Sequence, residues 1–143
     1  MKIIYCITKA DNGGAQTHLI QLANHFCVHH DVYVIVGNHG PMIEQLDARV
    51  NVIILEHLVG PIDFKQDILA VKVLAQLFSK IKPDVIHLHS SKAGTVGRIA
   101  KFISKSKDTR VVFTAHGWAF TEGVKPAKKF LYLVIEKLMS RIT

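Results

Sequence analysis

Five short runs rich in valine, isoleucine and leucine constrain this chain more than any other feature: Lys2–Thr8, Asp31–Gly37, Asn51–Leu55, Asp84–His89 and Arg110–Ala115. A strand that is apolar nearly throughout, rather than at every second position, is covered on both faces, which is the mark of a parallel sheet. Helical patterns fill most of the gaps. Ala15–His30 carries Ala15, Leu19, Leu22, Ala23 and Phe26 on one face. A short helix, Pro41–Ala48, opens on a proline suited to a first turn. After an irregular stretch, Glu56–Asp63, a long helix runs to about Lys82 with Ile68, Val71, Leu74, Ala75 and Phe78 as its stripe, and Lys82-Pro83-Asp84 stops it. Lys92–Ser104 is a helix capped by Ser90 or Ser91. A loop, His116–Lys125, leads to a last helix from Pro126 onward. Alternating strands and helices with right-handed crossovers predict an α/β fold, a doubly wound, Rossmann-like parallel sheet with strands in the order 3-2-1-4-5.

In that order the first and fourth strands are neighbours, and ligands bind beyond their carboxyl ends, where the winding reverses. Three polar loops converge there. Gly13-Gly14 follows the first strand and opens a helix, so it reads either as an ordinary glycine turn or as free N–H groups that receive an anion. It is neither the dinucleotide fingerprint nor a P-loop, since both spacings are missing. His89-Ser90-Ser91-Lys92 follows the fourth strand, a serine cap that also offers donors to hydroxyls or phosphate. His116-Gly117 follows the fifth, and the position of His116 at a strand end gives it a functional reading beside the structural one. His87 and His89 share one strand face and suggest half a metal site. No third ligand stands at a telling spacing, so the expectation is no metal, with His87 a packing residue and His89 facing the crevice. Gly94 and Gly97, three apart, are expected to let their helix lie close on the sheet.

Composition narrows the classes. The chain has 143 residues, 49% of them hydrophobic, enough for one domain with a core. The N-terminal apolar run is too short for a signal peptide, and no run nears the roughly 20 residues of a membrane-spanning helix. Cys6 and Cys27 fall in a strand and a helix and read as reduced core residues. The net charge of +7 calls for an anionic partner. Nucleic acid is not expected, because the interleaved basic and aromatic surface is lacking.

The string Lys82-Pro-Asp-Val-Ile-His-Leu-His-Ser-Ser-Lys-Ala-Gly-Thr-Val-Gly-Arg98, followed by Val112-Phe-Thr-Ala-His-Gly-Trp-Ala-Phe-Thr-Glu-Gly123, resembles bacterial family 4 glycosyltransferases of the branch that builds capsules, exopolysaccharides and O-antigens. Gly13-Gly14-Ala15-Gln16 and Pro61-Ile-Asp63 match as well. The resemblance covers essentially residues 1–143. It implies one half of a GT-B fold, the N-terminal, acceptor-side domain, with the C-terminal donor domain absent; Glu136 is not that domain's E-x(7)-E motif. It implies a retaining transferase that needs neither cofactor nor metal. Such an enzyme moves a sugar from a UDP- or GDP-linked donor to a glycan or an undecaprenyl-diphosphate-linked acceptor in the cytoplasm, at the inner face of the membrane. By the same resemblance Gly13 and Gly14 approach the donor phosphates, His116 is the catalytic residue, and His89, Ser90, Ser91, Lys92 and Gly117 lie on the acceptor side. The chain alone is expected to be inactive. The alternative is a non-catalytic Rossmann-like module that pairs with a separate catalytic chain. Lys128, Lys129, Lys137 and Arg141 alternate with Phe130, Leu131, Tyr132, Leu133, Ile135 and Leu138, and Trp118 and Phe120 precede them. The pattern suits an anionic membrane surface, or a helix whose apolar side faces the core.

Overall fold

The computed structural model describes residues 1–104, 106, 108–117 and 126–143, the side chains at 127–129, 131 and 132 excepted. Five parallel strands stand in the order β3-β2-β1-β4-β5, the predicted winding. They are β1 (Lys2–Ile7), β2 (Asp31–Val36), β3 (Asn51–Ile54), β4 (Val85–His89) and β5 (Arg110–Thr114). The helices are α1 (Gly14–Phe26), α2 (Phe64–Ile81), α3 (Ser91–Ile103) and α4 (Pro126–Met139). Ile7 pairs with both Val36 and His89, and His89 with Thr114. The register therefore brings the loops after β1, β4 and β5 to one edge at the same height.

The side-chain alternation of each strand divides the core in two. Ile4, Cys6, Ile86 and Leu88 pack under α2 and α3 with Leu74 and Phe78. Ile3, Tyr5, Ile7, Val32 and Val34 pack under α1 with Leu19 and Ala23. Since Ile86 and Leu88 face α2 and α3, His87 and His89 must face α1. Both cysteines are free and buried, as expected. The close-packing reading of the two helical glycines holds. A Cβ on Gly97 would stand 2.4 Å from Leu88 Cδ2, and one on Gly94 2.6 Å from Phe113 Cε2.

Two boundaries and one helix face differ from the sequence reading. α1 ends at Phe26, not His30, because the N–H groups of His29 and His30 both turn back to the Phe26 carbonyl. The helix expected over Pro41–Ala48 shrinks to a 3-10 turn, Ile43–Gln45. There Asn24 of α1 donates to the Gln45 carbonyl at 3.0 Å and accepts from the Asp47 N–H at 2.8 Å, taking groups a longer helix would have used. The buried line of α2 is Ala70, Leu74 and Phe78, and Ile68 is 68% exposed. Leu74 and Phe78 of the predicted stripe are buried and Val71 and Ala75 half-buried, so the inward face differs by taking Ala70 in place of Ile68. No described helix is long and apolar enough to cross a membrane.

Candidate active site at the carboxyl edge of the sheet

The three loops meet where the topology requires. Gly13 and Gly14 head α1 and are exposed. A Cβ on Gly14 would meet nothing within 4 Å, and one on Gly13 only the tip of the Gln16 side chain. Neither glycine is demanded by the chain's own packing. α1 has no side-chain cap, whereas Asp63 caps α2 and Ser90 caps α3. The first-turn N–H groups of α1 are thus left for water or an anion at the positive end of the helix.

At the end of β4 the backbone of Ser90 takes φ +80°, a left-handed value unusual for a residue with a side chain. The strain, on the order of 1–3 kcal/mol, is borne by two contacts of Ser90 Oγ. It shares a 2.6 Å hydrogen bond with Thr8 Oγ1 at the end of β1 and accepts from the Ala93 N–H at 3.4 Å. Ser90, not Ser91, is the cap. Ser91 lies beside it at the mouth of a groove of about 1220 Å³ between α2 and α3. The groove is lined chiefly by apolar side chains on the α2–α3 side of the sheet and has none of the imidazoles, which gather on the α1 side.

Two acceptor-side expectations need correction. Lys92 does not present a free ammonium. Its Nζ lies 2.6 and 2.7 Å from the two carboxylate oxygens of Asp67, and the side chain is only 11% exposed. The pair ties α3 to α2 and takes up the ammonium. His89 does not face open crevice either. It is entirely buried, with the rings of His18 and His116 5.7 and 5.1 Å away. The exposed members of the predicted set are Gly13, Gly14, His116 and Gly117, with Ser90 and Ser91 half-buried.

His116 is the exposed end of a line of imidazoles. His87 Nε2 is 2.7 Å from Thr114 Oγ1, which makes it the hydrogen-bonded packing residue the sequence suggested. The His87 and His89 rings are 4.1 Å apart, and His89 Nδ1 lies 2.8 Å from His116 Nε2. Burial, and next the neighbouring imidazoles, depress the pKa of His87 to about 4 and that of His89 to about 3; burial, then His18, lowers that of His116. All three are neutral at physiological pH, when each ring offers one N–H and one lone pair.

His18 escaped the sequence reading. It stands on α1 at helical spacing from Ala15 and Leu22, a polar residue in the first turns of the helix that the Gly13-Gly14 loop opens, and this was the signal that could have found it. With it, nitrogens of His18, His89 and His116 lie within 4.8 Å of one another, so the ground for setting metal aside, the want of a third imidazole, does not hold. The arrangement is nevertheless that of a hydrogen bond. The His89 and His116 rings are within 20° of parallel, centroids 5.1 Å apart, with facing nitrogens at 2.8 Å. They meet edge to edge, each aimed at the other rather than at a common centre, and a metal would have to turn both rings.

The site reads as a neutral, donor-rich edge. Exposed helix N–H groups stand on one side and an imidazole held from behind stands on the other. Such a place suits a phosphorylated, hydroxyl-bearing ligand.

Comparison with known proteins places the chain in a family. The chain is 32% identical over 113 residues to the Escherichia coli UDP-Gal:alpha-D-GlcNAc-diphosphoundecaprenol alpha-1,3-galactosyltransferase, covering 79% of this chain and 29% of that protein. It is 42% identical over 65 residues to a 41.2 kDa protein of the Klebsiella pneumoniae cps region, 43% of this chain and 18% of the other. The fold matches Anabaena Alr3699/HepE, solved in complex with UDP-glucose, at a TM-score of 0.68 and 22% identity, covering 94% of this chain and 34% of that one. The chain thus spans about a third or less of the length of each. Residues 12–143 match Glycosyltransferase Family 4, and the chain belongs to that family.

Proposed function

We propose that this chain is the acceptor-side half of a retaining GT-B glycosyltransferase of surface-polysaccharide assembly, acting in the cytoplasm. One observation carries the reading: in a family 4 chain, an exposed histidine at the switch-point edge of the sheet, His116, is held from behind by a buried histidine. The donor is a nucleotide-sugar, UDP-linked as in the names of the relatives or GDP-linked, and its phosphates meet the uncapped start of α1 at Gly13 and Gly14. Ser90, Ser91 and Gly117 border the acceptor, a glycan or a saccharide on undecaprenyl diphosphate. His116 contributes a hydrogen bond beside the reacting sugar, and neither metal nor other cofactor takes part. The groups that stabilise the leaving diphosphate belong to a second domain, and without them no rate follows.

The lipid-linked acceptor brings the protein to an anionic membrane. Phe130, Leu133 and Leu138 of α4 are exposed, with Lys137 and Arg141 beside them. Trp118, Phe120, Lys128, Lys129, Leu131 and Tyr132, the other members of the basic and apolar pattern, lie outside the described side chains.

The test compares this chain with the product of the complete reading frame, each purified free of host transferases and supplied with UDP- and GDP-sugars and undecaprenyl-diphosphate-linked acceptors. Transfer by the complete product and none by the chain alone is expected. Turnover by the chain alone, or a reading frame that stops at Thr143 beside a separate catalytic partner, overturns the reading in favour of a pairing module.

A further inference from the structure

His89 is buried completely, and one of its two nitrogens, Nε2, has no hydrogen-bond partner among the described residues. The other, Nδ1, meets His116 Nε2 edge to edge at 2.8 Å. Two neutral rings joined by one hydrogen bond can place their protons in two ways. If His116 Nε2 donates, His89 carries its own proton on Nε2, and an N–H is buried with nothing to receive it. If His89 Nδ1 donates, the buried Nε2 is a bare lone pair, and His116 carries its proton on Nδ1. Orphaned buried N–H groups are the rarer and costlier case in folded proteins. The neighbours of His89 offer the stray proton no oxygen: they are the rings of Tyr5, His87 and His18.

We infer that His89 is a positioning residue that fixes His116 in its Nδ1–H form, so that His116 meets its ligand as a hydrogen-bond donor and not as a base. Free histidine prefers the opposite tautomer, which makes this a device of the fold rather than a default. It matters for the site because a donor recognises an oxygen with lone pairs to share, a sugar hydroxyl or a phosphate oxygen, and stabilises negative charge that grows there. A base would instead take a proton from an acceptor hydroxyl. Burial keeps both rings neutral and the two-tautomer choice open at pH 7. The choice of ligand oxygen rests on the transferase reading above; the tautomer does not.

The measurement is the imidazole 15N–1H correlation spectrum of this chain at pH 7.5, in the wild type and in His89→Leu and His89→Gln. The wild type is expected to show a proton-bearing Nδ1 and a bare Nε2 at His116. Leucine fills the space without a donor, so His116 should revert to Nε2–H. Glutamine can donate its amide N–H and should restore Nδ1–H. In the complete enzyme His89→Leu should lower kcat about tenfold with KM within threefold, and His89→Gln should recover most of it. A proton on Nε2 of His116 in the wild type overturns the inference even if His89→Leu fails to fold. An Nδ1–H spectrum with no loss of kcat in His89→Leu leaves the tautomer standing and refutes the donor role at the reaction.

Discussion

Acidification from pH 7.5 to 5 should destabilise this domain strongly, and the histidine line is the reason. In the unfolded chain His87 and His89 titrate near 6.5; in the fold they titrate near 4 and 3. A base whose pKa falls on folding gives stability that is full above the unfolded value and is lost as the pH drops from there toward the folded one. Between pH 6.5 and about 4 the unfolded chain binds protons that the folded one refuses. At pH 5 each imidazole has then lost roughly 2 kcal/mol of its contribution, about 4 kcal/mol for the two, against a typical domain stability of about 5–15 kcal/mol. Neither folded ring is protonated at pH 5, so their mutual repulsion does not enter and the two losses add. Tyr5, His18 and His116 stand around them; burial raises the Tyr5 phenol to about 12, far above this window, and lowers His116 in the same direction as the pair. Asp47, held far below the ordinary carboxylate range by its hydrogen bonds from Arg49, titrates below this window. Urea unfolding at 25 °C, followed by far-UV circular dichroism at pH 7.5, 6 and 5, reads the effect. His89→Leu should lose about half as much over the same range. A wild-type loss under about 1 kcal/mol, or an equal loss in His89→Leu, refutes the reasoning.

Gly97→Ala should lower stability by about 1–2 kcal/mol, the overpacking against buried Leu88 outweighing the gain in helix propensity, and a melting temperature within a degree of wild type would contradict the fit of α3 on the sheet. Gly14→Ala has room for its methyl and should keep or slightly raise the melting temperature while weakening nucleotide-sugar binding in the complete enzyme; unchanged binding removes Gly14 from the donor site. Glu136→Gln takes the 2.9 Å partner from Arg98, whose side chain is 4% exposed over the Phe113 ring, and should cost about 3 kcal/mol, most of it recovered when Arg98→Met is added; equal stability of the single variant and wild type would show the pair idle. The complete protein should sediment with phosphatidylglycerol-containing vesicles at low salt and less at high salt, each basic residue near the surface adding roughly 1 kcal/mol, and equal binding to neutral vesicles would exclude the charge-led mode.

The strand order and the meeting of three loops could be read from residues alone, because a two-sided apolar strand and a right-handed crossover leave few windings. The glycines of α3 were readable for the same reason: their spacing fixes one face, and that face has to lie somewhere. What escaped depends on partners far apart in the chain. Asp67 is 25 positions from Lys92, and nothing local marks it as the carboxylate that claims the ammonium. His18 lies on α1, and only the fold brings it beside His89 and His116. His89 was placed on the correct strand face, but strand periodicity says which way a ring points and not what covers it. Ile68 fell on the predicted stripe, yet Ala70, Leu74 and Phe78 make the buried line, since periodicity fixes a face only to within a residue on either side.

The most direct test is sugar transfer by the complete enzyme with His116→Ala beside wild type, with thermal unfolding of both in parallel. A hydrogen bond at the reacting centre is worth on the order of 100-fold in rate. Transfer reduced by about that factor, with the unfolding temperature within a few degrees of wild type, is the predicted result. Transfer within a few-fold of wild type, or loss that follows from unfolding alone, contradicts the placing of the reaction at the carboxyl edge of this sheet.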